Sequence, residues 1–166
     1  MQTLLLATSL LSLVAPGAVP EGAAGPMKRL GAEATGEGVR VRFSSDSFFE
    51  PGKADLRRGA KQAVQDVVAL VRLWPECRVR IESHTDGRGA REFNARLSQA
   101  RAERLKRTLE GQGLNNVYEA RHHGEERPLS GDDTAEGRAR NRRVEVHVLV
   151  PHPPPPRPAG EGAKPR

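Results

Sequence analysis

The chain is poor in cysteine and in aromatic residues. Its 166 residues include a single cysteine, Cys77, so no disulfide can form within the chain. We predict that Cys77 is a small buried hydrophobe beside a strand. Aromatic residues make up 4% of the sequence, which leaves few flat surfaces on which nucleic-acid bases could stack. A basic nucleic-acid-binding module therefore stays only as an alternative, suggested by the run Arg138, Arg140, Arg142 and Arg143.

Long apolar runs are also scarce, and hydrophobic residues make up only 36% of the chain. Residues 1–18 are apolar but too few to span a membrane. They are typical of the apolar region of a signal peptide, although the first basic residue is Lys28. We therefore predict a signal peptide or apolar N-terminal segment over 1–18, export, and no spanning segment in the mature domain.

Glycine and proline are concentrated near the two ends of the chain. Residues 19–38 are rich in glycine, alanine and proline and are predicted to be a linker. Residues 151–166 include four consecutive prolines, which predicts a disordered proline-rich tail. The domain between these segments spans residues 39–150. The net charge of the chain is +6, which favours anionic partners such as nucleic acid, acidic lipid or an anionic cell-wall polymer.

The spacing of apolar residues within 39–150 predicts two strand–helix units followed by two further strands. The first and last predicted strands begin near Val39 and Val144, and the two between them are Arg78–His84 and Val117–His122. The predicted helices are Lys53–Leu73 and Gln99–Leu109. This order predicts an α+β fold: a two-layer sandwich with a mixed four-stranded sheet (β-α-β-α-β-β) and helices packed on one face.

Two opposite charges flank the loop between the second predicted strand and the second predicted helix. Asp86 follows the strand, and glycines at 87 and 89 allow the loop to fold back toward Arg101. Ser98 is a natural N-cap, which would put Arg101 in the first helical turn, where free amides already attract anions. The pair is suited to a ligand that carries both an amine and a carboxylate.

Four ordered motifs carry a family resemblance. They are Val79-x-Ile81-x-Ser83-His84-Thr85-Asp86-x-x-Gly89, Asn94-x-x-Leu97-Ser98-x-x-Arg101-Ala102, Gly124-Glu125-x-x-Pro128 and Asn141-Arg142-Arg143-Val144-Glu145. With these motifs the chain resembles the OmpA C-terminal (OmpA-like) peptidoglycan-binding domain family from about residue 39 to residue 150. The resemblance implies non-covalent binding to peptidoglycan, and anchoring in the periplasm at the cell wall or outer membrane.

The resemblance also implies roles for individual residues. In the family the ligand is the diaminopimelate of the stem peptide, so Asp86 would receive its ammonium group and Arg101 its carboxylate. Flanking contacts would come from Thr85, Asn94, Leu97 and Arg142 or Arg143. Peptidoglycan is then the expected partner, and either tail could hold an envelope protein.

Catalytic and metal chemistry find little support in the sequence. Glu82, Asp86 and Glu125 lack a nucleophile–base pattern, so we predict no catalytic residue and no enzyme, with a peptidoglycan-acting hydrolase accessory as an alternative. The five histidines lack ligand spacing, and the adjacent His122 and His123 would point to opposite faces of a strand. We therefore predict no metal and no cofactor.

Overall fold

The computed structural model describes residue 20 and residues 22–151. The predicted signal segment 1–18 and residues 152–166 of the predicted tail lie outside this part of the chain. The helices are α1 (Ala24–Leu30), α2 (Ser45–Phe48), α3 (Ala60–Arg72), α4 (Arg91–Glu110) and α5 (Ala135–Asn141). The strands are β1 (Glu33–Thr35), β2 (Gly38–Ser44), β3 (Arg78–His84), β4 (Val117–Gly124) and β5 (Arg143–Leu149).

The strands form one mixed sheet in the order β1-β2-β5-β3-β4. Strands β3 and β4 are parallel, and the other neighbours are antiparallel. The predicted α+β fold with a mixed sheet is confirmed, but the sheet has five strands where the sequence predicts four. The fifth strand is β1, which pairs with β2 and is fastened by the salt bridge between Arg40 and Glu33 at 2.6 Å.

The segment 19–38, predicted as a linker, contains both α1 and β1. Helix α1 packs against α3, and Arg29 of α1 donates to Asp66 of α3 at 2.6 Å. A seven-residue helix and a three-residue strand are too short to give a clear hydrophobic period, which is why the glycine-rich composition dominates the sequence signal.

The core lies between one face of the sheet and helices α3 and α4. Strand β5 contributes Val144, Val146 and Val148, all with no exposed surface, as expected of β-branched residues that alternate with polar ones. The facing helix residues include Val67 of α3 and Leu105 of α4, both almost fully buried. The opposite face of the sheet carries charged side chains and histidines.

Two helix boundaries differ from the sequence prediction. Helix α3 begins at Ala60 rather than at residue 53, because Gly52 adopts a positive φ of 65° and turns the chain back. Leu56 then forms a β-bridge with Phe49 before the helix starts. Helix α4 begins at Arg91, eight residues before the predicted start, so Arg101 lies in the middle of a 20-residue helix.

Candidate functional site

A cavity of about 290 Å³ opens where the loop after β3, the first half of α4, the segment 45–57 and the residue before β5 meet. Six of the predicted site residues line it: Thr85, Asp86, Asn94, Leu97, Arg101 and Arg142. The fold therefore brings the predicted carboxylate and the predicted guanidinium to one hollow, from a strand end and a helix face. No helix within the described residues is long and apolar enough to cross a membrane.

Asp86 is a buried carboxylate that is held from two sides. Its Oδ2 accepts a hydrogen bond from Nη1 of Arg142 at 2.6 Å, and its Oδ1 accepts from the backbone N–H of Arg88 at 3.3 Å. Only 8% of the residue is exposed. The carboxylate is therefore fixed in orientation, which favours recognition of one cationic group over flexible surface pairing.

Arg101 is a buried cation without a carboxylate partner. It is 5% exposed, and its Nε donates to the carbonyl of Lys53 at 2.9 Å. The guanidinium carbon lies 5.2 Å from the centre of the Phe49 ring, in a cation–π contact. Burial lowers the pKa of Arg101, and the charge of Arg142 lowers it further, against an opposing effect of Asp46. Among the described residues no acidic side chain forms a salt bridge with it.

Arg142 is clamped between two carboxylates. Its Nε and Nη2 donate to Asp46 at 2.9 and 2.7 Å, while its Nη1 donates to Asp86. The hydrogen bond to Asp46 is the main cause of a raised pKa for Arg142, and the same bond lowers the pKa of Asp46. Arg142 thus connects the end of β2 to the end of β3 through two ion pairs.

Asp46 and Phe49 are site residues that the sequence analysis missed. Other cavity-lining residues that it missed are Ser45, Pro51, Gly52, Arg57, Arg88 and Phe93. Asp46 lies 96 positions from Arg142 and follows β2, which pairs with β5 so that Ser44 opposes Arg143. Only knowledge of this strand pairing could have identified the contact from the sequence.

Two buried hydroxyls in the cavity wall have no hydrogen-bond partner among the described residues. They are Oγ1 of Thr85 and Oγ of Ser45, which belong to residues with 5% and 0% exposure. A buried polar group without a partner is unfavourable. Both hydroxyls would gain a partner if a small shift of the cavity wall exposed them to a polar ligand.

Asn94 holds the loop that carries Asp86. Its Nδ2 lies within hydrogen-bond distance of the carbonyls of Asp86 and Arg88, at 3.2 and 3.0 Å, and of Oε2 of Glu125 at 2.7 Å. The residue is 3% exposed. Although Asn94 lines the cavity, these contacts make it mainly a positioning residue for the loop.

A second network joins the same loop to the segment before α5. Asp132 accepts hydrogen bonds from the backbone N–H of Gly87 at 2.6 Å and from Nδ2 of Asn141 at 2.7 Å. Oδ1 of Asn141 in turn accepts from the amides of Leu129 and Ser130. This polar loop, with its short helix α5, therefore supports the wall of the cavity.

Ser98 does not cap a helix, contrary to the sequence prediction. Its hydroxyl donates to the carbonyl of Ala95 at 2.9 Å and accepts from the amide of Gly124 at 3.0 Å. Gly124 has a φ of +51° and lies close to the backbone of Ala95, so a side chain there would be strained. The expected attraction of anions by a helix start is therefore absent at Arg101, and the guanidinium itself supplies the positive charge.

Arg143 is the one predicted site residue that does not line the cavity. Its Nε donates to Glu145 at 2.7 Å and its Nη2 to the carbonyl of Arg127 at 3.2 Å. Arg143 is the first residue of β5, whereas Arg142 precedes the strand as the C-cap of α5. Of the two arginines left open by the sequence, the structure brings Arg142 to the site and Arg143 to the charged sheet face.

Comparison with known proteins identifies what the chain is similar to. The profile of the OmpA family matches residues 48–142. Outer membrane protein A of Bordetella avium is 33% identical over 113 residues, which cover 67% of this chain and 58% of that protein. The match to outer membrane porin F of Pseudomonas aeruginosa covers 34% of that protein, so this chain spans only part of the length of these relatives.

Two solved structures share the fold. The cell wall anchor of the T6SS from Pseudomonas aeruginosa has a TM-score of 0.66 at 26% identity, covering 77% of this chain and 94% of that one. The peptidoglycan-associated lipoprotein from Burkholderia pseudomallei has a TM-score of 0.53 at 27% identity, covering 64% of this chain and 86% of that one. The first of these proteins is named as a cell wall anchor, and the second is named for its association with peptidoglycan.

Proposed function

The chain belongs to the OmpA family, and from this premise we propose that its domain binds peptidoglycan without a covalent bond. Binding would hold the protein at the cell wall, in the periplasm or beside the outer membrane. The names of its relatives support this proposal, since they include an outer membrane protein, a cell wall anchor and a peptidoglycan-associated lipoprotein. An envelope protein carried by either terminal segment would be tethered with it.

We further propose that the cavity takes the side-chain end of diaminopimelate in the stem peptide. This group carries an ammonium and a carboxylate on one carbon. Asp86 would accept the ammonium, and the terminal nitrogens of Arg101 would donate to the carboxylate. Thr85 and Ser45 would add hydrogen bonds from their unpartnered hydroxyls, and Leu97 would contact the methylene chain.

The observation that carries the proposal is the buried, unpaired guanidinium of Arg101. Burying a charge away from water is unfavourable unless an opposite charge compensates for it. Arg101 has only one backbone hydrogen bond and an aromatic contact in place of that charge. A ligand carboxylate would supply it, and charge-assisted hydrogen bonds of this kind contribute roughly 1.5–3 kcal/mol each.

The arrangement of charges in the cavity is suited to a zwitterion. Two carboxylates, Asp46 and Asp86, line it together with four arginines, which are Arg57, Arg88, Arg101 and Arg142. Both carboxylates form salt bridges with Arg142, whereas Arg101 forms no salt bridge among the described residues. A ligand with both charges can therefore be oriented end to end, while a simple anion or cation would satisfy only one side.

A pull-down with purified sacculi tests the proposal. We expect retention of the wild type and loss of retention for Asp86→Asn and for Arg101→Met. The matched control is Arg104→Met, because Arg104 is an exposed arginine on the same helix. Equal retention of all four proteins would overturn the site assignment, and failure of the wild type to bind would overturn the function. Release of soluble fragments from labelled sacculi would instead indicate a hydrolase.

A further inference from the structure

The charged face of the sheet holds a second group of side chains that the proposed function does not use. Glu82 and His84 lie two residues apart on β3, so they share one face. His123 lies at the end of β4 and presents its ring to them. One ligand atom from each of these three residues lies within 4.8 Å of the others.

A β-bulge places His123 in this group. In the parallel pairing of β3 with β4, Ser83 opposes His122 but His84 opposes Gly124, so His123 is an extra residue. Bulges redirect side chains and are frequent beside functional sites. Here the bulge brings the ring of His123 against that of His84, with ring centres 4.9 Å apart.

His84 has unused bonding capacity in a buried position. It is 2% exposed, and neither Nδ1 nor Nε2 has a hydrogen-bond partner among the described residues. A buried imidazole without a partner at either nitrogen is a polar group left uncompensated, and a bound metal ion would supply the missing contact.

We propose that Glu82, His84 and His123 form a binding site for a divalent transition metal ion of the zinc type. Two imidazole nitrogens and one carboxylate oxygen are a ligand set that such ions accept, with further positions left for water. Bonds of about 2.1 Å at tetrahedral angles place ligand atoms roughly 3.4 Å apart. The most distant pair of ligand atoms would therefore close by at most about 1.4 Å (4.8 Å minus about 3.4 Å), while Oε2 of Glu82 and Nε2 of His123, 3.1 Å apart, are already near this spacing.

Three arginines lie beside the three proposed ligands, and their positions leave room for the ligands to move. Arg80 contacts Oε1 of Glu82 at 2.8 Å, while Oε2 is hydrogen-bonded to Nε2 of His123 at 3.1 Å, and the ion would replace that hydrogen bond. Arg127 lies 3.5 Å from the same nitrogen, but it is exposed and can turn into solvent. Arg143 is held by Glu145 at 2.7 Å and stays in place. The positive charges of these arginines make the site weaker than a closed structural zinc site.

This inference is independent of the proposed peptidoglycan site, and it revises the expectation of no metal. The ligands come from positions 82, 84 and 123, so no short sequence motif contains all three and predicts the site. Only the pairing of β3 with β4, including its bulge, brings the three side chains together.

Titration of the full chain, first freed of metal with a chelator, tests the proposal. We expect one equivalent of Zn²⁺ to bind by calorimetry, and one equivalent of Co²⁺ to develop visible absorption bands typical of nitrogen and oxygen ligands. His123→Ala and Glu82→Gln should each weaken binding at least about tenfold. His122→Ala is the matched control, because His122 is an exposed histidine next to His123.

Circular dichroism shows whether each variant is folded, and melting curves with and without Zn²⁺ give a second readout. Zn²⁺ should raise the melting temperature of the wild type and of His122→Ala more than that of His123→Ala. Absence of saturable binding by the wild type would overturn the proposal. Equal affinity of the wild type, His123→Ala and Glu82→Gln would also overturn it, since binding would then lie elsewhere.

Discussion

Replacement of Arg101 by methionine should separate ligand binding from folding. The side chain is buried, with 5% exposure, and lacks an acidic partner among the described residues. Methionine keeps an unbranched apolar chain against Phe49 and removes the buried charge. It also removes the hydrogen bond from Nε to the carbonyl of Lys53 and the cation–π contact.

The expected changes in folding free energy nearly cancel. The lost hydrogen bond contributes roughly 1.5–3 kcal/mol because the donor is charged, and the lost cation–π contact about 0.5–2 kcal/mol. Replacing a buried ion pair by hydrophobic residues of similar volume is often neutral or stabilising, by about 1–4 kcal/mol, and we expect a similar gain when the buried charge of Arg101 is removed. The free energy of unfolding of Arg101→Met should therefore lie within about 2 kcal/mol of the wild-type value.

The expected loss of binding is larger. A guanidinium that grips a carboxylate with two hydrogen bonds would lose roughly 3–6 kcal/mol of interaction. Since about 1.4 kcal/mol corresponds to a factor of ten, affinity for a diaminopimelate-containing muropeptide should fall at least about a hundredfold. Urea unfolding and calorimetry measure the two quantities. Destabilisation beyond about 3 kcal/mol with unchanged affinity of the folded fraction would refute this reasoning and make Arg101 a structural residue.

Three further predictions concern the surroundings of the site. Asn94→Ala should lower the free energy of unfolding by about 1–3 kcal/mol in urea, because buried loop carbonyls lose their donor; an unchanged value would show that the loop does not depend on it. Asp46→Asn should weaken retention by sacculi less than Asp86→Asn does, because Arg142 keeps one carboxylate partner in either variant but only Asp86 is the proposed receptor of the ligand ammonium; equal losses would contradict this order. Burial raises the pKa of the Cys77 thiol to about 11, so native protein at pH 8 should react with iodoacetamide far more slowly than urea-unfolded protein, and equal rates would show that the thiol is accessible.

The sequence predicts those strands and helices whose apolar residues recur at a regular spacing. The alternating valines of β5 and the polar–apolar alternation of β2 identify strands, because each side chain meets either the core or the charged face. The start of α4 could not be placed in this way. Its first two turns are mostly exposed and polar, so they lack an apolar stripe and resemble a loop.

Some site residues are likewise predicted by sequence motifs, and others are revealed only by the pairing of strands. Asp86 and Arg101 are flagged by motifs that lie close together in the sequence, and both line the cavity. Asp46 escapes notice because its partner Arg142 is 96 positions away, and only the pairing of β2 with β5 joins them. Tertiary structure likewise separates Arg142, which lines the cavity, from Arg143, which pairs with Glu145 on the charged face of the sheet.

Calorimetric binding of two muropeptides that differ in one carboxylate would test the central claim most directly. One carries diaminopimelate, and the other carries lysine, which has the ammonium group but not the neighbouring carboxylate. The wild type should bind the diaminopimelate form at least about tenfold more tightly, and Arg101→Met should bind both forms alike. Equal affinity of the wild type for the two ligands would contradict the assignment of Arg101 as the carboxylate receptor.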